Sequence, residues 1–167
     1  RVTKNISKIK ESSDVWLIFS PIKQHRMSLA VQKATELGVS KIIPCITEYT
    51  NVRTINTKNL YFNAIEAAEQ SERLDLPSIE KPISLKSILS SWPDDRYLVY
   101  CDEKLHQEKN ILEILSPLSY NTLKCAVLVG PEGGFSNSET DLITNIDKVL
   151  PVSLGKRLLR SDTAITV

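Results

Sequence analysis

Gly130-Pro131-Glu132-Gly133-Gly134 closes the continuous apolar run Ala126-Val127-Leu128-Val129 and holds three of the chain's five glycines. An apolar run that breaks into glycines reads as a buried strand ending in a tight loop. Glycine there permits positive φ and lets a ligand come close to the main chain. Pro131 fixes its own φ and removes one donor, which leaves the amides of Gly130, Glu132, Gly133 and Gly134. That donor set suits a neutral ligand met edge-on, such as a purine, better than a pyrophosphate. The spacing is neither G-x-G-x-x-G nor G-x-x-x-x-G-K-[ST], which argues against a dinucleotide fingerprint and against a P-loop nucleoside triphosphatase. A strand–glycine–helix junction is also a common tight turn, so this loop by itself does not make a site.

A second stretch repeats the organisation. In Leu154-Gly155-Lys156-Arg157-Leu158-Leu159-Arg160-Ser161-Asp162-Thr163-Ala164 a strand ends in glycine, a short loop follows, and Ser, Asp and Thr open a helix. Lys156, Arg157 and Arg160 crowd the loop. Alone, this is a solvated turn with a helix cap. Taken with the first loop, it gives two glycine-ended strands, consecutive in the chain, each feeding a capped helix. Together they can form one pocket with cations at its rim, in the place where α/β proteins bind ligands, outside the carboxyl ends of the strands.

The elements that must carry these loops can be read from periodicity. Val15–Phe19 is a buried strand stopped by Ser20-Pro21. Met27, Ala30, Val31, Ala34 and Leu37 recur at helical spacing between Gln24 and Leu37, with Gly38 as the C′ residue. Lys41–Ile46 is a strand whose Pro44 suggests an edge or a strand end. A polar loop from Thr47 to Lys58 follows, of a length that is often functional or mobile. The next helix runs from Lys58 to Arg73, with Leu60, Ala64, Ile65, Ala68 and Ser71 on one face. Leu76–Glu80 is a short strand. Ser84 caps a short helix to Ser91, Tyr97–Cys101 is a strand, and Asn110–Leu115 is a short helix. Leu123–Val129 leads into the glycine loop. Ser136-Asn137-Ser138-Glu139 is a Ser-x-x-Glu capping box that opens a helix to Ile146, and Val149–Leu154 is the last strand. This alternation predicts an α/β fold with a mostly parallel sheet and helices on both faces.

The 167 residues suffice for one domain with a sizeable core. Lys and Arg number 21 against 20 Asp and Glu, so any nucleic-acid contact is expected from a local patch. No apolar run has the length of a membrane span and no signal-peptide pattern opens the sequence. Cys45, Cys101 and Cys125 are odd in number and lie in apolar runs, which predicts buried free thiols in a reducing cytoplasm. A zinc site needs clustered Cys/His spacing, which His25 and His106 do not provide. Residues 1–14 are expected to be a linker or the remnant of a missing N-terminal domain. Residues 15–167 are the expected main domain, cut short in its C-terminal helix.

Leu128-Val129-Gly130-Pro131-Glu132-Gly133-Gly134 paired with Leu154–Ala164 resembles the trefoil-knotted SPOUT methyltransferases. More narrowly, it resembles the bacterial enzymes that methylate N3 of a uridine in 16S ribosomal RNA. Gln32-Lys33-Ala34-Thr35-Glu36-Leu37-Gly38-Val39 followed by Ile43-Pro44 is similar to that family's first helix and strand. Ala67-Ala68-Glu69-Gln70-Ser71-Glu72-Arg73 with Pro77-x-Ile79 is similar to its second block. The likeness spans roughly Ser20 to Val167. This sequence departs from the pattern at Asp162, where family members usually have Glu, and at Tyr49, where the family tends to carry Arg. The family's N-terminal barrel-type domain and most of its final helix have no counterpart in these residues.

The resemblance implies a C-terminal trefoil knot holding S-adenosylmethionine in a bent shape. Its adenine would meet the backbone of Leu128, Gly130 and Gly133 in one loop and of Leu154, Gly155 and Leu159 in the other, with Pro131 and Glu132 completing the cofactor set. Uracil N3 would attack the sulfonium methyl, and in-line positioning can supply about 7–11 kcal/mol of such a barrier. Arg157 and Arg160 are the candidates for stabilising the uracil anion. Asp162 or Glu132 would accept the N3 proton or fix an arginine. Arg26, Lys33, Arg53, Gln70 and Arg73 are candidate RNA contacts, although each also reads as one polar residue on a solvated element. The implied partners are 16S ribosomal RNA of the small subunit and a second copy of the chain, with no membrane and no metal. Alternatives are a SPOUT enzyme acting on another RNA such as transfer RNA, a non-catalytic RNA-binding or ribosome assembly factor, and a purine-nucleotide-binding domain.

Overall fold

The computed structural model describes residues 13–103, 105, 111–118 and 123–167. The expected linker at residues 1–14 falls almost wholly outside these residues, as do His106 and the expected helix start at Asn110. The strands are β1 (Val15–Phe19), β2 (Lys41–Ile46), β3 (Ser78–Ile79), β4 (Ile83–Ser84), β5 (Tyr97–Cys101), β6 (Cys125–Val129) and β7 (Val149–Val152). The helices are α1 (Gln24–Glu36), α2 (Thr57–Gln70), α3 (Leu85–Ser90), α4 (Ile111–Leu115), α5 (Asn137–Thr144) and α6 (Ser161–Ala164). They build a seven-stranded sheet in the order β3-β2-β1-β6-β5-β7, with β4 also paired to β2. Every pairing is parallel.

Alternation along the central strands splits the core into two faces, as a period of two requires. Leu17 and Phe19 of β1 pack with Met27, Val31 and Ala34 of α1 and Leu60 and Ala64 of α2. Ile18 between them faces the other way, with Leu85, Ile88 and Leu89 of α3 and Ile143 of α5. Helices thus cover both faces, as the α/β reading requires.

Three local expectations change. Pro44 does not mark a sheet edge, because β2 lies between β1 and the short pair β3/β4. The outer pairing jumps from Ile42 with β3 to Cys45 with β4, so Pro44 falls in the gap where a missing N–H costs no ladder bond. Leu37 is 65% exposed because it is the C-cap of α1 rather than part of its apolar face. The second helix stops at Gln70, not Arg73, because Glu72 adopts a left-handed φ of 56°. Ser71 therefore sits at the exposed cap rather than on the buried face.

The amino ends of β1, β5 and β6 are tied by Arg96, which is 4% exposed. Its guanidinium donates to both carboxylate oxygens of Asp14 at 2.8 Å, to the Asp14 carbonyl at 2.9 Å and to the Cys125 carbonyl at 3.0 Å. It also stacks 3.6 Å from the Trp16 ring.

Candidate functional site

In a parallel sheet all strands end on one edge, and the loops leaving that edge build the site. Here the loops after β5, β6 and β7 enclose one cleft of about 890 Å³. The capping box that directs the chain out of the glycine loop is formed: the Ser136 amide donates to Glu139 at 3.0 Å and the Glu139 amide donates to the Ser136 hydroxyl at 3.4 Å. Glu139 does more than the motif foretells. Its other oxygen accepts from the Glu48 amide at 2.9 Å, which pins the loop after β2 beneath the glycine loop. That loop is rigidified by Thr47 and Thr50, whose hydroxyls lie 2.8 Å apart and whose side chains are buried. The mobile or functional loop expected from Thr47 onward is therefore a support at this end. A Cβ on Gly133 would stand 3.2 Å from the Cβ of Tyr49, so the glycine loop lies directly on it.

Glycine is required at two neighbouring positions for different reasons. A Cβ on Gly130 would come 2.6 Å from the Phe135 ring, which packs edge-on against Tyr100 at 5.4 Å. Gly134 has φ +69°, a region that L side chains rarely adopt. Gly155 in the second loop has φ +113°, with open space where a side chain would be.

Gly130, Pro131, Glu132, Leu154, Gly155 and Leu159 all line the cleft, together with Arg157 and Arg160. Leu128 and Gly133 do not. Leu128 is 1% exposed in the core between Ile18 and Tyr100, and Gly133 faces Tyr49. Asp162 sits at the start of α6, whose cap position is Arg160 without a side-chain cap. Asp162 instead lies 3.7 Å from the Arg26 guanidinium and 3.8 Å from that of Arg160. Arg26 also approaches Glu132 at 3.8 Å. Arg26, expected as an RNA contact, therefore joins α1 to both loops. Ser161, expected to help open the helix, is 8% exposed, and its hydroxyl donates to the Gly130 carbonyl at 3.3 Å.

The remaining RNA candidates are dispersed. Arg73 is bound to Asp75 and donates to the carbonyls of Thr35 at 2.7 Å and Val39 at 2.8 Å, so it serves to close the end of α1. Lys33 pairs with Glu36 at 2.8 Å. Arg53 is exposed in the loop before α2. Gln70 lines a separate cavity of about 580 Å³ between α1 and α2, beside His25, Gln32 and Asn63.

The RNA methyltransferase domain family matches residues 10–167 of this chain. The protein belongs to that family. The ribosomal RNA small subunit methyltransferase E of Rickettsia conorii is 38% identical over 164 residues, covering 98% of this chain and 66% of the relative. The enzyme of the same name from Synechocystis is 33% identical over 140 residues, covering 82% of this chain and 45% of the relative. A crystal structure of ribosomal RNA small subunit methyltransferase E from Neisseria gonorrhoeae, bound to S-adenosyl methionine, superposes with a TM-score of 0.78 at 28% identity. That match covers 92% of this chain and 62% of the other. The chain thus spans about two thirds of the length of these relatives or less. The SpoU methyltransferase AviRb of Streptomyces viridochromogenes, at 16% identity and TM-score 0.58, shares the fold alone.

Within this RNA methyltransferase domain the residues that sequence reading missed are those at the end of β5 and just after it. Tyr100, Cys101, Asp102 and Glu103 line the cleft because β5 lies between β6 and β7. The available signal was the strand Tyr97–Cys101 running straight into two acids, which any parallel sheet would deliver to the same edge. Burial, then the negative field of Asp102 and Glu103, pushes the Tyr100 phenol up to about 12. Burial also raises the Cys101 thiol to about 12, and Cys45 likewise, with Glu139 adding to the second. Cys125 is raised by burial too. All are free thiols, as their positions in apolar runs predict. Among the described residues no group of His, Cys, Asp and Glu could hold a metal, and no helix is long and apolar enough to cross a membrane.

Proposed function

We propose that the protein transfers a methyl group from S-adenosylmethionine to N3 of a uridine in 16S ribosomal RNA of the small subunit. The observation that carries this reading is the joining of the β6 and β7 glycine loops into one cleft. Its volume lies within the range of small-molecule sites. Its lining suits an adenosyl group: main-chain donors and acceptors around Gly130 and Gly155 beside apolar Leu154 and Leu159. The relatives' names support small-subunit ribosomal RNA as the substrate, and the S-adenosyl methionine in the N. gonorrhoeae structure supports the cofactor. We further propose that residues 126–164 form the trefoil knot of the SPOUT fold, and that the protein works in the cytoplasm as a homodimer.

When bound, the cofactor supplies a methyl group already activated as a sulfonium. The chain's own residues then have to orient the uracil and manage its charge. Arg157 and Arg160 are exposed at the mouth of the cleft, where a guanidinium can meet a uracil oxygen as negative charge develops. Asp162, bracketed by Arg26 and Arg160, orients Arg160. Glu132, 55% exposed on the glycine loop, is our candidate to take the N3 proton, with Asp162 as the alternative. A uridine in structured RNA would be unstacked to reach this mouth. Arg53, Lys33 and Gln70 remain candidates for holding the RNA.

Calorimetry with S-adenosylhomocysteine tests the cofactor, and mass spectrometry of 16S ribosomal RNA from a deletion strain tests the substrate. Loss of one methyluridine from that RNA is expected. An unchanged 16S RNA with a lost methyl group in transfer RNA would reassign the substrate. Binding of RNA without the cofactor would indicate an assembly factor instead.

A further inference from the structure

The cleft has two walls of opposite charge. On the β7 side stand Lys156, Arg157 and Arg160; on the β5 side stand Asp102 and Glu103. Because β5 lies between β6 and β7, its end opens into the middle of the cleft. The Glu103 carboxylate lies against the glycine loop itself: its Oε1 would be 3.0 Å from a Cβ on Gly134. The absence of a side chain at Gly134 is what lets the carboxylate come that close. The Tyr100 phenol, which lines the same wall, already feels the field of both acids. A cation lodged there would be stabilised by the field that disfavours a phenolate.

We infer, resting on the cofactor reading above, that Glu103 supplies the counter-charge for the cationic groups of the adenosyl ligand, so that the cleft selects adenosyl ligands that bear such groups over one that bears none. S-adenosylmethionine carries an ammonium and a sulfonium, S-adenosylhomocysteine an ammonium alone, and 5′-methylthioadenosine neither. All share adenine, ribose and a 5′ sulfur. Glu103 is exposed, so its contribution is that of a solvent-screened pair, about two- to fivefold in affinity.

The test is calorimetric titration of the purified protein and its Glu103→Gln variant with all three ligands. In the variant, S-adenosylmethionine and S-adenosylhomocysteine should bind about two- to fivefold more weakly, and 5′-methylthioadenosine should bind as it does to wild type. The unchanged third ligand also reports that the cleft is still folded. Equal weakening of all three would overturn the inference and assign Glu103 to the ribose or to structure. No change in any of them would overturn it as well. Failure of the wild-type protein to bind any of the three would remove the cofactor reading, and this inference with it, a result distinct from the other two.

Discussion

The Ser161 hydroxyl donates to the Gly130 carbonyl at 3.3 Å, joining the first residue of the last helix to the first residue of the glycine loop. Thirty-one positions separate them in sequence. The contact is long for an O–H···O bond, whose usual separation is nearer 2.7–2.8 Å, so it sits at the weak end of the scale. Ser161→Ala should cost about 0.5–1 kcal/mol of stability, read as a small drop in the urea midpoint. Its larger effect should be a loosened cleft, seen as weaker binding of S-adenosylhomocysteine by calorimetry.

The glycines offer a graded series. Gly130→Ala forces a methyl into the Phe135 ring and should cost about 1–3 kcal/mol through overpacking. Gly155→Ala meets open space and pays only for its left-handed backbone, about 1–2 kcal/mol. Thermal melts of the two variants should differ in a further respect. A compensating Phe135→Leu change should recover part of the loss at 130 and none of that at 155.

Arg160→Ala should lower methyl transfer far more than it lowers S-adenosylhomocysteine binding. Equal losses in both would place Arg160 in the cofactor site instead. Arg26→Ala removes the guanidinium between Glu132 and Asp162 and should act in the same direction, because Asp162 would no longer be held on both sides. Arg26→Lys, which restores charge without the planar fork, should rescue only part.

The cysteines predict a pH window. With Cys45 and Cys101 raised to about 12, the folded state keeps protons that the unfolded chain releases above about pH 9. Their contribution to stability is fully present below that point and is lost as the pH rises from about 9 to 12. Iodoacetamide at pH 8 should leave Cys45 unlabelled in the native protein and label it after denaturation in guanidinium.

Arg96→Ala strips the bonds that close the amino ends of β1, β5 and β6. Removing one member of a well-bonded buried pair costs about 3–5 kcal/mol, and partial exposure of Asp14 favours the lower figure. The cleft is at the opposite edge of the sheet, so cofactor affinity measured well below the melting temperature should be unchanged.

Sequence patterns were most informative where one element specifies itself. The capping box at Ser136 and Glu139, the helical spacing of Met27, Val31 and Ala34, and the apolar run of β6 each carry their own signal. So does the meeting of the two glycine loops, through their repeated organisation. Illegible were the contacts set by sheet order. Nothing in the local spacing places Arg26 between Glu132 and Asp162, sends Arg73 to the carbonyls of Thr35 and Val39, or brings Glu48 to Glu139. Asp102 and Glu103 escaped notice for the same reason, since only the position of β5 between its neighbours brings them to the cleft. Boundaries moved where backbone conformation, as at Glu72, outweighed helical propensity.

The packing of Ala164 and Ile165 against the α1 and α2 core has a kinetic consequence. The cleft is lined from residue 100 to beyond residue 160 and is braced from outside by Arg26, so its closure waits for contacts of great sequence separation, the slow class in folding. The strand pairs near in sequence, β1–β2 and β5–β6, can form earlier. Refolding followed by Trp16 and Trp92 fluorescence should therefore outpace the recovery of ligand binding, with a lag in which the framework exists but nothing can yet be gripped.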